Sequence, residues 1–351
     1  MIRNDLYWKD VRKISELSYE WDALKNQTLL ITGSNGMIGS FFVDIIMDKN
    51  ERQNLQCQVI AVDKSEIETN SRYGIYLDNP LFSFVKQNVV EALDIKEDID
   101  YIVHAASNTR PIDYTENPIG IISTATIGTY NMLDLGVKKN IKKFVFTSSV
   151  EMYGQNRNDV DFFEESYCGN IDCSTVRASY PEGKRAGEVM CQAFAKQEEL
   201  DISVLRIPRT YGSSFLPGDT KTTSLFVEKA SANEDIELKS AGTQKFSYCY
   251  VADVASALIY ILLKGKSGEA YNVAPEDSNI SLKEFAERLA SEVGRKVVIN
   301  LSSDLEKQGY SNVTKAMMRE DKLHALGWNP SFSLEEGIRN TIAIMRKGNE
   351  D

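Results

Sequence analysis

The chain has 351 residues, 42% of them hydrophobic and 26% charged, and a net charge of −11. That is enough to bury the core of one large domain or two modest ones. The acidic balance argues against a general role on nucleic acid, whose phosphates call for a basic face.

Five cysteines (Cys57, Cys168, Cys173, Cys191 and Cys249) are odd in number and scattered. They fit a reducing compartment better than a disulfide framework. Only two histidines, His104 and His324, are present and no Cys-x-x-Cys occurs, so no metal site is expected. No signal-peptide core is visible, and the longest apolar run, 257–263, is too short to span a bilayer. A cytoplasmic protein with no membrane partner is expected.

In residues 1–27, Tyr7, Val11, Ile14, Trp21 and Leu24 recur at roughly helical spacing. One or two helices are predicted there, packed on the chain's own body rather than held out as a partner-binding arm. The stretch 28–39, TLLITGSNGMIG, follows. It combines a short apolar strand, a turn with Gly33, Gly36 and Gly39, and the start of a buried helix through Phe41, Phe42, Val43, Ile45 and Ile46. Strand, glycine turn and helix in that order bring backbone N–H groups and a helix N-terminus to one point, which suits a diphosphate.

A second strand, 58–62, ends in Asp63. A carboxylate there accepts hydrogen bonds from ribose hydroxyls and repels a 2′-phosphate, which favours NAD over NADP; the adjacent Lys64 weakens that preference. Strands are predicted at 83–85 and 99–103, the latter running into His104, Ala105, Ala106 and Ser107, small residues that let a ligand ring approach. A helix over 121–135, a strand at 143–147, a long helix from Tyr180 and a strand at 203–207 complete the alternation. The fold class is α/β, a doubly wound parallel sheet with right-handed crossovers. Beyond Tyr211, Pro217, Gly218 and a Thr-rich run mark a loop. Helical patterns at 224–232, 254–263, 282–293 and 334–346 then form a smaller mixed α/β region over the sheet edge. The division is 1–27 as a helical extension, 28–210 as the doubly wound domain and 211–351 as the smaller region, with some chain crossing back.

Two further stretches carry chemistry. In RASYPEGKR, 177–185, Tyr180 and Lys184 are four apart and share a helix face. A lysine there, beside a cationic nicotinamide, would lower the phenol pKa and make Tyr180 an acid or base near neutral pH. In FTSSVEMYG, 146–154, Ser149 can bond the same substrate oxygen, and Glu151 can act on a proton elsewhere.

Taken together, these stretches resemble the extended short-chain dehydrogenase/reductase family, the nucleotide-sugar epimerases, dehydratases and decarboxylases, over roughly residues 28–346. Tyr250-Val-Ala-Asp253, Leu326-Gly-Trp328 and Leu334-Glu-Glu-Gly337 belong to the likeness. The resemblance implies a Rossmann domain binding NAD or NADP, a C-terminal nucleotide-sugar region, a homodimer, and Ser149, Tyr180 and Lys184 as the catalytic trio with Glu151 beside them. It implies cofactor contacts from Gly33, Asn35, Gly36, Met37, Ile38, Gly39, Asp63, Lys64, Asn88, Ala105, Ala106, Ser107, Thr147, Tyr180 and Lys184. Ser149, Arg209, Lys221 and Lys245 would touch the nucleotide sugar.

RASYPEGKR looks most like the UDP-glucuronate decarboxylases, but three departures stand out. Val150 replaces the aspartate of the dehydratases and the serine of the decarboxylases. Phe246 replaces an arginine that grips the diphosphate. Arg209 replaces a common asparagine and could take over that diphosphate contact. The long N-terminal helix and the Ser-Ser-Val-Glu-x-Tyr-Gly loop resemble enzymes of bacterial capsule loci, some of which act on CDP-linked sugars. The expected function is an NAD(P)-dependent epimerase or keto-sugar reductase on a nucleotide-linked sugar for surface polysaccharide biosynthesis. The alternative is 4,6-dehydration or decarboxylation through Glu151.

Overall fold

The computed structural model describes residues 3–66, 73–216, 218–300 and 313–347; Pro217 of the expected loop lies outside them. The first half runs α1 (Asp5–Ser15), β1 (Thr28–Thr32), α2 (Met37–Gln53), β2 (Gln58–Asp63), β3 (Phe82–Lys86), β4 (Tyr101–His104), α3 (Asp113–Glu116), α4 (Pro118–Ser123), α5 (Thr129–Lys139), β5 (Lys143–Ser149), α6 (Ser179–Gln197) and β6 (Ile202–Ile207). Then come β7 (Arg209–Tyr211), α7 (Thr222–Ser231), β8 (Ile236–Leu238), β9 (Lys245–Tyr250), α8 (Val251–Lys264), β10 (Glu269–Asn272), β11 (Asn279–Ser281), α9 (Leu282–Glu292), β12 (Val297–Ile299), β13 (Lys315–Ala316), α10 (Asp321–Leu326) and α11 (Leu334–Lys347).

Seven strands make one sheet in the order β3-β2-β1-β4-β5-β6-β10, every neighbouring pair parallel. This is the doubly wound sheet the alternation predicted. The strands β4, β5 and β6 are buried along their whole length, because helices cover both faces of a parallel sheet. The chain order reverses between β1 and β4, where a ligand crevice opens at the carboxyl ends of the strands. A second, smaller sheet pairs β9 with β7, β11 and β13. From the C-terminal third, β10 returns to the edge of the large sheet beside β6.

The N-terminal segment packs on the chain itself. Tyr7, Val11, Ile14, Trp21 and Leu24 are all buried. They cover a face of α2 that carries Asp44, Asp48 and Lys49, groups that would otherwise face water. Each finds a partner in the segment: Ser15 Oγ donates to Asp48 (2.6 Å), and Lys49 Nζ donates to the Ser15 carbonyl (2.7 Å). Burying a charge is tolerable only with such partners.

The helix predicted over 121–135 is interrupted. Between α4 and α5 the chain makes a π-helical turn at Thr124–Gly128, where Thr129 Oγ1 donates back to the Ala125 carbonyl at 2.7 Å. The late motifs are architectural. Trp328 is buried and its indole donates to Ser256 Oγ (3.0 Å), and Asp253 accepts the N–H groups of Ser331 (2.6 Å) and Phe332 (3.3 Å). Among the described residues no helix is long and apolar enough to cross a membrane.

Candidate functional site

At the end of β1 the backbone turns at Gly33 with φ +67°. A Cβ there would lie 2.7 Å from the backbone of Ala105 and Ala106 at the end of β4. A Cβ on Gly39 would lie 2.4 Å from the Gly33 carbonyl oxygen. Those two glycines let the turn, the end of β4 and the first turn of α2 close on one another. Gly36 precedes α2 without a side-chain cap, so the helix start, with Met37 and Ile38, presents backbone N–H groups rather than a capping side chain. Such a cradle fits a dinucleotide diphosphate.

Asp63, at the end of β2, accepts the Asn35 N–H at 3.0 Å and the Ser65 N–H at 3.0 Å. The carboxylate is thereby fixed against the glycine turn. Asn35 spends its N–H on that bond, and its amide Nδ2 donates to the Ser65 carbonyl (3.2 Å). Lys64 Nζ donates to Asn108 Oδ1 at 2.8 Å, linking the ends of β2 and β4. Asn88 is exposed beyond β3 and caps its own turn at the Val90 N–H.

His104 is fully buried, and its role is structural. The Thr129 hydroxyl proton is committed to Ala125, so His104 Nε2 donates to Thr129 (3.2 Å) and Nδ1 accepts from Thr32 Oγ1 (2.7 Å). Thr32 Oγ1 in turn accepts the Ala106 N–H at 3.2 Å. Burial, aided by the charge of Lys184, drops the imidazole to about 3, so it stays neutral.

The predicted trio comes together at the end of β5 and the start of α6. Tyr180 and Lys184 are buried one turn apart on α6, and Lys184 Nζ donates to the Thr147 carbonyl at 2.7 Å. The Ser149 and Ser107 hydroxyls stand close enough to the Tyr180 phenol to lower it. Burial lowers Lys184 to about 8. The same burial, followed by the Glu151 carboxylate, raises Tyr180 to about 12. The sequence expectation is a phenol lowered by Lys184 together with a cationic nicotinamide. The protein's own groups push it the other way, because Lys184 bonds Thr147 and its ammonium stands 5.9 Å from the Tyr180 ring centre.

Two residues that the sequence reading did not single out complete this wall. Arg177 Nη2 donates to both oxygens of Glu151, at 2.9 and 2.7 Å. Its guanidinium lies 4.1 Å over the Tyr114 ring, which packs 5.5 Å from the Tyr180 ring. The signal for Arg177 was present, three residues before Tyr180; nothing around Tyr114 marks it. Val150 is buried and offers no acid.

Two of the departures meet each other. The Arg209 guanidinium stacks 3.6 Å from the Phe246 ring centre, and no carboxylate is bonded to it among the described residues. Its charge is felt at Tyr114, which packs on Tyr180. Lys221 is paired with Asp219 at 3.1 Å. Lys245 is exposed at the start of β9 and, by strand alternation, points to the face opposite Phe246, away from the Arg209 stack.

A family model described as NAD dependent epimerase/dehydratase matches residues 29–274. The chain is 32% identical to UDP-glucuronic acid decarboxylase 6 of Arabidopsis thaliana over 315 residues, covering 89% of this chain and 87% of the relative. It is 33% identical to UDP-glucuronic acid decarboxylase 1 of Xenopus tropicalis, covering 91% and 72%. In fold it matches a dTDP-glucose 4,6-dehydratase of Bacillus anthracis solved with NAD (TM-score 0.76, 23% identity, 92% of this chain and 98% of that one). It also matches a UDP-glucose 4-epimerase of Thermotoga maritima solved with UDP-glucose (TM-score 0.77, 24% identity, 92% and 100%). With a doubly wound sheet, a glycine cradle and a matched length well over half of its residues, the chain belongs to the NAD-dependent epimerase/dehydratase family of extended short-chain dehydrogenase/reductase enzymes.

Proposed function

We propose that this protein is a cytoplasmic NAD-dependent oxidoreductase acting on a nucleotide-linked sugar, an epimerase or keto-sugar reductase that serves surface polysaccharide synthesis. The observation that carries the reading is the convergence of Ser149, Tyr180 and Lys184 beside the glycine cradle. The dinucleotide supplies the hydride donor and acceptor when bound, held by the turn at Gly33, Gly36 and Gly39 with Asp63 on its ribose. Tyr180 takes the proton from a sugar hydroxyl, or returns it to a keto oxygen. Ser149 orients that oxygen. Lys184 supplies positive charge beside the phenolate, and the Thr147 carbonyl aims it. Arg209 leaves its stack on Phe246 to bind the sugar diphosphate, a task suited to a guanidinium that no carboxylate holds among the described residues. Exposed Ile119, Ile127, Tyr130 and Val189, on the stretch from α4 to α6, support a homodimer through that face.

A second reading, decarboxylation of a nucleotide-linked uronic acid, is favoured by the Glu151–Arg177 pair beside Tyr180 and by the decarboxylase relatives. Oxidation at the ring carbon adjacent to the one that bears the carboxylate leaves a β-keto acid that loses carbon dioxide without an added acid at position 150. One experiment separates the readings. The protein is incubated with NAD, NADH or NADPH and a panel of UDP-, dTDP-, GDP- and CDP-sugars including UDP-glucuronate, while nicotinamide absorbance and product mass are followed together. A product of unchanged mass that separates from the starting sugar by chromatography, or a gain of two hydrogens, supports the first reading. Loss of carbon dioxide supports the second. No product with any sugar overturns both.

A further inference from the structure

The N-terminal segment reaches the glycine turn through hydrogen bonds gathered on Asp44 and a ring contact from Arg3 to Tyr73. Asp44, on α2, is fully buried, and both its oxygens are filled. Arg3 donates from Nε to Oδ2 (3.0 Å) and from Nη2 to Oδ1 (2.6 Å). Tyr7 donates to Oδ2 (2.5 Å) and Tyr76 to Oδ1 (2.8 Å). The Arg3 guanidinium lies within 5.3 to 5.8 Å of the ring centres of Trp8, Tyr73 and Tyr76. Tyr73 then donates its hydroxyl to the Ser34 carbonyl at 2.6 Å.

Ser34 sits inside the glycine turn. Its carbonyl and the N–H of Asn35 belong to one planar peptide unit and point in opposite directions. Tyr73 holds the carbonyl side, and Asp63 accepts from the N–H side at 3.0 Å. The peptide beside the diphosphate cradle therefore cannot rotate without breaking both bonds. Charge adds to this. Asp44 is seven residues into α2, about 10 Å along the axis from its start. Unpaired, it would set a buried negative charge behind an anion site; Arg3 neutralises it.

We infer that Arg3, Tyr7, Asp44, Tyr76 and Tyr73 form a clamp by which the N-terminal segment fixes the Ser34–Asn35 peptide and sets how long the dinucleotide is retained. These are positioning residues, and the inference rests on the dinucleotide reading above. The segment thereby favours a cofactor kept from one turnover to the next, as an epimerase or decarboxylase needs, over one exchanged each cycle.

The test measures the NAD dissociation rate by displacement, alongside the Tm of the dinucleotide-free protein, for full-length wild type, Tyr73→Phe, Arg3→Met and Arg3→Lys. Tyr73→Phe is expected to speed release about two- to tenfold, the worth of one hydrogen bond, with Tm lowered by a few degrees at most. Arg3→Met is expected to release faster still, and Arg3→Lys, which keeps the charge, to recover part of the retention. Variants that melt earlier yet release NAD at the wild-type rate would show the segment to be structural only and overturn the inference, as would no change in either quantity. A wild-type protein that binds neither NAD nor NADP overturns the dinucleotide reading itself, and is distinguished because it appears before any variant is compared.

Discussion

On the dinucleotide side of the crevice the backbone makes the site. Gly33 and Gly39 are needed because any side chain would strike main-chain atoms at 2.7 Å or less, and the helix start is left without a side-chain cap. On the opposite wall side chains make it. Glu151 is pinned by Arg177, Arg177 rests on Tyr114, and Arg209 rests on Phe246. A site built from backbone tolerates little change. A wall built from side chains can be rewritten one residue at a time, and we assign the choice of reaction to it.

The comparison breaks most sharply at Tyr180, where the two sides meet. Tyr180→Phe is expected to lower turnover about 10²- to 10⁴-fold, the usual worth of a positioned acid or base, while dinucleotide affinity, by fluorescence titration, stays near wild type. Gly33→Ala is expected to do the reverse. The added Cβ meets backbone at a positive φ, so dinucleotide affinity falls about a hundredfold or more, read by the same titration. Arg209→Ala acts on the substrate wall alone. We expect KM for the nucleotide sugar to rise about tenfold to a hundredfold, the range for a charged hydrogen bond, with kcat little changed.

Arg177→Met sharpens the picture of the wall. Glu151 raises the Tyr180 phenol and Arg177 lowers it, so losing Arg177 moves the limb of the pH–rate profile that Tyr180 sets to higher pH, the ascending limb where it is the base and the descending limb where it is the acid. An unmoved limb would show that the pair does not tune Tyr180. The smallest effect belongs to Lys184. Its folded-state value is lowered to about 8, whereas an unfolded lysine holds its proton to about 10.4. Between those values the unfolded chain binds more protons, so this group makes stability rise with pH across that window. Lys184→Met is expected to flatten the rise, measured as Tm against pH in dinucleotide-free protein.

The same contrast decides what could be read from sequence. Strand–glycine–helix order and apolar periodicity arise from backbone sterics and burial, which are local, so the sheet, the turn and the Tyr180–Lys184 face were legible. The break at Thr124–Gly128 was not, because it answers to Thr129 and His104, brought together only by folding. Nor was the contact between Arg209 and Phe246. Each was visible as a departure, but their stacking needs β7 laid beside β9, where Arg209 pairs with Tyr248. The rise that the protein's own groups impose on Tyr180 was not legible either, since burial and Glu151 outweigh a lysine whose proton is directed at Thr147.

The central claim is that a dinucleotide bound at the glycine turn exchanges hydride with a nucleotide-linked sugar through Tyr180. A single-turnover experiment addresses it: enzyme loaded with the dinucleotide is mixed with the active sugar from the panel, and nicotinamide absorbance is followed in wild type and Tyr180→Phe. A rapid change in nicotinamide absorbance with product formation in wild type, and neither in dinucleotide-loaded Tyr180→Phe, is the predicted result. Undiminished turnover in Tyr180→Phe, or product made by wild type with no change in nicotinamide absorbance, would contradict it.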